Sequence, residues 1–189
     1  VLAELPIGGK TTKVLMQANR NGFFYVLDRT TGKVLSGTQF AKKVNWAKGI
    51  DMATGRPIDT PMTATVRKTE QATDFIEVWP SAFGGKNWMP MSFDPVRRIA
   101  YFNTINLGMK IKYVKQERPA QPTWYLGLDL GGFADPEDGM RGSMVAWDPV
   151  AGKKVWDVPT KAPFWSGVVS TAGGVLFTAS CSYHMTKPM

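Results

Sequence analysis

The chain has 189 residues, of which 43% are hydrophobic and 20% charged, a composition that indicates a globular protein and excludes a disordered one. The net charge is +8, but no basic helix, aromatic RNA-binding motif or zinc knuckle accompanies it, so nucleic acid is not an expected partner. A single cysteine excludes an internal disulfide framework and a cysteine-rich metal site. Because no run of 18 apolar residues exists, no transmembrane segment is expected.

The first part of the chain has the pattern of short strands separated by tight turns. Three runs rich in Val, Leu, Phe and Tyr are candidate strands, namely TKVLMQA (12–18), GFFYVLD (22–28) and GKVLSGTQF (32–40). The pair Asn21-Gly22 is a strong hairpin signal. The stretch from Asp28 to Gly32 repeats this turn chemistry, because Asp bonds the nearby backbone and Gly accepts a positive φ. No window has the periodicity of an amphipathic helix, so the predicted fold class is all-β.

Two regions interrupt this strand pattern, residues 59–75 and residues 106–142. The second is long and contains several glycines and prolines, which predicts an excursion from a compact scaffold. Loops of such length are usually functional or disordered. Four aromatic residues within it indicate that it packs against another part of the molecule, namely Tyr113, Trp124, Tyr125 and Phe133.

The stretch FGGKNWMPMSFDP, residues 83 to 95, is too broken by glycine and proline to be a helix or a plain strand. It predicts a hinged loop that presents Asn87 and Trp88 side by side. Taken alone, these two residues are better explained as an amide in a turn and an indole in a core.

An internal repeat is visible in three segments, VLDRTTGKVL (26–35), GIDMATGRPI (49–58) and AWDPVAGKKVW (146–156). Each has Asp, three further residues, Gly and then Lys or Arg, which predicts a strand, an Asp-started turn and a second strand. Gly32 and Gly152 lie 120 positions apart (152 − 32), about three propeller blades of roughly 40 residues each. The aspartates Asp28, Asp94 and Asp148 are interpreted as structural turn residues.

The third repeat resembles the tryptophan docking motif of the quinoprotein alcohol dehydrogenases, in which Trp156 would wedge its indole between neighbouring blades. Three more segments are similar to that family in its own order: ANRNGFFYVLDRTTGKVL, GGKNWMPMSFDP and PFWSGVVSTAGGVLFTAS. The resemblance covers residues 10 to 180 and is closest to the ethanol dehydrogenase and quinohaemoprotein branches. It implies a partial β-propeller over residues 1–180, roughly three to four blades of eight, from the C-terminal side of the family fold. Residues 181–189 depart from the family and are interpreted as a divergent tail, native or non-native.

The resemblance also implies which residues meet the family cofactor, pyrroloquinoline quinone (PQQ). Arg20 would lie near a quinone oxygen and polarise it, which makes it both a catalytic and a cofactor-binding candidate. Asn87 would donate a hydrogen bond to the cofactor, and Trp88 and Trp165 would pack beside its ring. Gly84–Gly85 would let the backbone turn close to this flat ligand. The plainer interpretations are a surface arginine, a turn amide and core indoles.

The function implied by the resemblance is oxidation of a primary alcohol to an aldehyde, with hydride transfer to PQQ and electrons passed on to a cytochrome c. In the family a catalytic Asp and the ligands of Ca²⁺ or a lanthanide precede the position of Arg20. Nothing in the first nineteen residues matches them, so no metal ligand is predicted here, and the rest of the propeller or a second subunit is expected to supply them. The family resemblance also implies a periplasmic location.

Two other functions fit parts of the sequence. One is a non-catalytic β-propeller scaffold for protein–protein interaction, which would keep the docking repeat without a cofactor. A weaker one is a basic nucleic-acid binder. Convergence of Arg20, Asn87 and Trp165 on one cavity would favour the enzyme over the scaffold.

Overall fold

The computed structural model describes residues 1–69, 71–117 and 126–179. Within these ranges the chain forms short antiparallel strands and one helix. In chain order the elements are β1 (Leu2–Ile7), β2 (Lys10–Ala18), β3 (Phe23–Asp28), β4 (Val34–Gln39), β5 (Ala47–Ile50), β6 (Pro57–Asp59), α1 (Pro61–Val66), β7 (Ile76–Val78), β8 (Ser92–Asp94), β9 (Ile99–Ile105), β10 (Gly108–Tyr113), β11 (Leu128–Ala134), β12 (Gly142–Asp148), β13 (Lys153–Thr160), β14 (Val168–Ser170) and β15 (Leu176–Thr178).

The strands assemble into two four-stranded sheets and three smaller units. The first sheet is a meander in the order β1-β2-β3-β4, and the second has the order β13-β12-β9-β8. A three-stranded sheet has the order β11-β10-β7, and β5-β6 and β14-β15 form separate hairpins. The predicted all-β class is therefore confirmed apart from the short helix.

The three candidate strands at the start of the chain are confirmed as β2, β3 and β4. In β2 the alternate residues Val14, Met16 and Ala18 are buried, as expected for a strand with one face in the core. The predicted Asn-Gly hairpin joins β2 to β3, where Gly22 has a φ of +95°. That value lies in the region that only glycine enters at little cost.

The two four-stranded sheets pack face to face, with the main core between them. The Trp147 indole on β12 is 3% exposed and stacks on Phe24 of β3 with ring centroids 5.6 Å apart. Phe102 on β9 meets the same Phe24 ring at 5.7 Å. The interval of three blades predicted between the first and third repeats is therefore wrong. The intervening 120 residues also hold the β5-β6 hairpin, α1 and the three-stranded sheet.

Trp156, predicted to wedge between neighbouring blades, lies on the face of the second four-stranded sheet that is turned away from the first. It lies opposite Ala146 in the β12-β13 ladder. Because successive residues of a strand point to opposite faces, the side chain of Trp147, which follows Ala146 in β12, points to the other face. Trp156 therefore packs against Tyr101, with ring centroids 5.9 Å apart, on the face that β14-β15 covers in part. Trp156 remains 39% exposed, so the indole between the two four-stranded sheets is that of Trp147.

All three Asp-started turns of the repeat form, and Asp94, also predicted to be a structural turn residue, starts a fourth turn. In the first, Asp28 accepts the Thr30 amide at 2.7 Å, and the Asp51 and Asp148 turns have the same arrangement. The fourth begins at Asp94, which accepts the backbone amide of Arg97 at 2.8 Å. The three-copy repeat does not include this turn, because Arg98 stands where the repeat has glycine. Arg98 adopts the left-handed conformation, with a φ of +59°.

Two regions predicted to lack regular structure contain it. Helix α1 is short, and its sequence, PMTATV, carries too few turns to show a helical period. It begins after Thr60, whose side chain accepts the Thr63 amide at 3.3 Å, with a proline at its first position as is common at helix starts. The long excursion at 106–142 contributes β10 and β11, which pair with each other, and β10 also pairs with β7. That pairing is long-range, so local patterning does not reveal it.

In the described ranges no helix combines the length and apolar character needed to cross a bilayer. The tail predicted at residues 181–189, which includes the single cysteine and the single histidine of the chain, lies outside the described residues.

Candidate functional site

The loop between β7 and β8 is held at both sides by backbone hydrogen bonds. The Gly85 amide donates to the Arg20 carbonyl at 2.9 Å, and the Ile105 amide donates to the Gly85 carbonyl at 2.8 Å. The Ser81 amide donates to the Leu107 carbonyl at 2.8 Å. Because these partners belong to the β2-β3 turn and to the end of β9, the loop is fixed between the first and second four-stranded sheets.

Glycines in this loop allow it to press against the β2-β3 turn. A Cβ atom on Gly84 would lie 2.7 Å from the Arg20 carbonyl oxygen and 2.8 Å from its Cα, and one on Gly85 would lie 3.0 Å from the Ala41 Cβ. Gly84 also has a φ of +80°, which favours glycine. The close approach that these glycines permit is therefore to the backbone of Arg20, where the sequence predicted an approach to a flat ligand.

An apolar cluster supports the loop from beneath. Met89 is buried with Ile105 and Leu107, and Phe83 and Trp165 pack against them. The Phe83 and Trp165 rings meet edge to face with centroids 5.0 Å apart, a favourable aromatic geometry. Trp165 thus supports the loop that carries Asn87 and Trp88.

Beside this loop lies a cavity of about 550 Å³. Its lining comes from the end of β2, the β2-β3 turn and the loop, and consists of Val1, Met16, Gln17, Ala18, Asn19, Arg20, Lys86, Asn87, Trp88, Met89, Pro90 and Met91. Three of the four predicted site residues, Arg20, Asn87 and Trp88, therefore meet at one cavity. The fourth, Trp165, does not line it and lies in the supporting cluster.

Hydrogen bonds within the loop fix the polar side chains of the site. The Arg20 guanidinium donates to the Ala82 carbonyl, which ties the arginine to the loop while it remains exposed. The Asn87 amide nitrogen donates to the Phe83 carbonyl at 2.9 Å, and its oxygen accepts the Trp88 amide at 2.8 Å. One N–H of the Asn87 amide group is left for a ligand, because that group has two donors. The Trp88 indole is 77% exposed at the cavity rim.

Lys86 is a site residue that the sequence analysis did not identify. It lines the same cavity, is 6% exposed and donates to the carbonyls of Asn87 and Met89. Burial lowers the pKa of its ammonium group. In the sequence Lys86 is one of 23 lysine and arginine residues, and its charge alone does not distinguish it. Its place between Gly85 and Asn87, inside the loop motif, is the signal that could have separated it from surface lysines.

The donors around the cavity suit a flat anion. Arg20 and Lys86 supply two cationic groups, Asn87 supplies an amide, and Trp88 supplies an exposed aromatic surface, while no carboxylate is among the lining residues of the described chain. A guanidinium binds carboxylate and quinone oxygens by charge-assisted hydrogen bonds, and an indole face stacks on planar rings. A tricarboxylated quinone such as PQQ fits this set of groups.

A second cavity, also of about 550 Å³, has the opposite character. Its lysines are paired with carboxylates, Lys42 with Asp138 and Lys43 with Glu77 at 3.5 Å. The Trp79 indole donates to Glu77 at 2.5 Å and lowers the pKa of that carboxyl group. Because its lysines already have carboxylate partners and its lining also includes Asp135 and Glu137, this cavity is a weaker candidate for an anionic ligand. No group of three or more His, Cys, Asp or Glu residues suited to a metal ion occurs in the described part of the chain.

Comparison with known proteins identifies relatives along almost the whole chain. Over 188 residues it is 40% identical to the quinohemoprotein alcohol dehydrogenase ADH IIB of Pseudomonas putida, an alignment that covers 97% of this chain and 26% of that protein. It is 36% identical over 193 residues to the 1-butanol dehydrogenase (cytochrome c) of Thauera butanivorans, covering 98% of this chain and 27% of that protein. No protein-family model matches the chain.

Solved structures give the same result for the fold. A europium-containing methanol dehydrogenase superposes with a TM-score of 0.74 at 31% identity, over 94% of this chain and 30% of the other. The predicted partial β-propeller is therefore confirmed. The chain spans between 26% and 30% of the length of these three proteins.

Proposed function

We propose that this chain, which belongs to the quinoprotein alcohol dehydrogenase family, supplies one wall of the PQQ pocket of an enzyme that oxidises primary alcohols to aldehydes. The observation that carries this proposal is the meeting of Arg20, Asn87 and Trp88 at one cavity whose described lining holds no carboxylate. The names of the relatives, several of which are alcohol dehydrogenases, support the reaction class.

Each residue of this wall has a role that follows from its chemistry. Bound PQQ would supply the two-electron acceptor for hydride removed from the alcohol. Arg20 would hold a fixed positive charge beside a quinone oxygen, where negative charge develops during the reaction. Asn87 would orient the ring through its remaining N–H, and Trp88 would shield one edge of the ring from water. Trp165 would act indirectly, by supporting the loop through Phe83.

The remaining parts of the reaction are proposed to come from residues beyond those described. A catalytic Asp and the ligands of Ca²⁺ or a lanthanide belong there, a metal requirement supported by the europium-containing structural neighbour. A cytochrome c is the proposed electron acceptor, on the strength of the name of the butanol-oxidising relative. The rest of the propeller, or a second subunit, would complete the pocket, and a periplasmic location is proposed with it.

Equilibrium binding of PQQ to this chain tests the proposal. PQQ should quench the fluorescence of Trp88 and bind saturably, because its ring would lie against the indole. Arg20→Met should weaken binding at least about tenfold, which corresponds to about 1.4 kcal/mol, whereas Arg29→Met on the exposed β3-β4 turn should leave binding unchanged. Saturable binding that is insensitive to Arg20→Met, or no binding, would contradict the proposed pocket.

A non-catalytic propeller scaffold is the second candidate. The position of Trp165 in the supporting cluster, away from the cavity lining, favours it, because convergence of Trp165 with Arg20 and Asn87 was the expected mark of an enzyme. The same titration separates the two functions, since a scaffold would not bind PQQ.

A further inference from the structure

Lys86 is a buried cation without an anionic partner among the described residues. Its side chain is 6% exposed, and its contacts are the backbone carbonyls of Asn87, at 3.2 Å, and of Met89. No salt bridge of the described chain includes it. The exposed lysines Lys42 and Lys43 each contact a carboxylate.

This arrangement is unusual, because buried charges in proteins are normally paired or neutralised. Two neutral carbonyls offset only part of the cost of removing an ammonium from water. An ammonium group has three N–H donors, and the two carbonyls use two of them. The third remains for a group inside the cavity that Lys86 lines.

The charges that face Lys86 do not supply the missing partner. Arg20 lines the same cavity and is also cationic, and the Val1 amino group carries no negative charge in either protonation state. The other residues of the lining are neutral. The site therefore holds a surplus of positive charge in a partly desolvated place, where an anion would gain most from binding.

We propose that Lys86 binds a carboxylate of the anionic cofactor through its third N–H, and so acts as a cofactor contact in addition to holding the loop. This inference rests on the proposed function, because it takes its ligand from there. It assigns to Lys86 a contact separate from those of Arg20, which meets the loop at Ala82, and of Asn87.

A loop-holding role alone makes a different prediction. If Lys86 merely fastened the carbonyls of Asn87 and Met89, its environment would be the same with and without ligand. If it binds a carboxylate, the ligand should raise the pKa of Lys86, because an opposite charge favours the ammonium form. A readout of Lys86 itself, with and without ligand, separates the two roles.

The experiment is competitive acetylation of the lysines of the wild-type chain across pH 7 to 11, with peptide mass spectrometry at each lysine. Samples contain PQQ, pyridine-2,6-dicarboxylate or sodium chloride at equal ionic strength. Each unit by which the pKa of Lys86 rises lowers its reactive amine fraction about tenfold. We expect PQQ to slow acetylation of Lys86 by at least about fivefold, the dicarboxylate to slow it less and chloride to leave it unchanged. Lys33, on the exposed β3-β4 turn, should react equally in all samples.

Fluorescence of Trp88, measured in the same samples, distinguishes this inference from the proposed function. Quenching by PQQ together with protection of Lys86 supports both. Quenching with unchanged acetylation of Lys86 overturns the inference and leaves the proposed function standing. If PQQ causes no quenching and no protection of Lys86, both the inference and the proposed function are overturned.

A variant adds an independent measurement. Lys86→Met should weaken PQQ binding at least about tenfold, while Lys86→Arg, which keeps the charge, should recover part of the affinity. Lys33→Met is the control. Unchanged affinity in a folded Lys86→Met chain would overturn the inference, and if that variant does not fold, the acetylation of the wild-type chain decides.

Discussion

Gly84 lies against the backbone of Arg20 so closely that a methyl group on Gly84 would come within 2.7 Å of the Arg20 carbonyl oxygen. This contact couples the loop that carries Asn87 to the turn that carries Arg20. It acts together with the hydrogen bond from the Gly85 amide to the Arg20 carbonyl and with the bond from the Arg20 guanidinium to Ala82.

Gly84→Ala should destabilise the chain and weaken PQQ binding. The left-handed φ of Gly84 alone costs an alanine about 1–2 kcal/mol, and the overlap with Arg20 should raise the total to about 2–4 kcal/mol. Urea unfolding measures the loss of stability, and fluorescence titration measures the affinity.

Gly9→Ala is the matched control for this change. Gly9 has a φ of +78° with no atom within 4 Å of an added Cβ, so this variant should show the conformational strain without the overlap. Equal losses of stability in the two variants would contradict the role assigned to the Gly84–Arg20 contact.

Trp147→Ala should be far more damaging than Trp156→Ala. Trp147 is buried between the two four-stranded sheets, and removal of a buried indole leaves a cavity that costs about 3–5 kcal/mol. Trp156 is partly exposed on the opposite face of the same sheet, so its removal should cost about 1.5 kcal/mol or less. Urea unfolding of both variants tests this order, and the reverse order would contradict the assignment of Trp147 to the core between the sheets.

Asp94→Asn should lower stability at neutral pH, with a difference from wild type that disappears in acid. Hydrogen bonds from the Arg97 amide and guanidinium, and from the Val96 amide, lower the pKa of Asp94. Because the folded pKa is below the unfolded value of about 3.9, the carboxylate stabilises the fold above that pH and this contribution is lost as pH falls through the folded pKa. Urea unfolding at pH 7, 5, 4 and 3 measures the difference.

Asp74→Asn serves as the control for this pH series, because Asp74 accepts its described hydrogen bond from the neighbouring Thr73 hydroxyl and starts no turn. A difference between wild type and Asp94→Asn that stays constant from pH 7 to pH 3 would show that the charge of Asp94 does not contribute to the turn.

Asn87→Ala should weaken PQQ binding and lower stability by about 1–3 kcal/mol, because it removes two hydrogen bonds inside the loop. Fluorescence titration and urea unfolding measure the two effects. Gln71→Ala, which removes an exposed amide elsewhere, should change neither. Wild-type affinity in Asn87→Ala would show that Asn87 stabilises the loop but does not contact PQQ.

Local patterning predicted much of the fold. The alternation of TKVLMQA and the Asn-Gly pair identified β2, β3 and the turn between them, because strands and tight turns depend on neighbouring residues. It identified Asp94 as a turn residue but did not predict that Arg98 adopts a conformation usual for glycine. It missed β10, whose partner β7 lies 30 or more positions earlier, and β11, which pairs with β10.

The sequence alone identified the loop motif of the site. Through the family resemblance it also predicted that Arg20, Asn87 and Trp88 belong to one cofactor-binding site. The tertiary structure decided what surrounds them. Lys86 is buried without an anionic partner in the described part of the chain, Trp165 lies beneath the loop, and Gly84 allows the loop to pack against Arg20. These features depend on burial and on contacts between segments distant in sequence, so composition and spacing could not determine them.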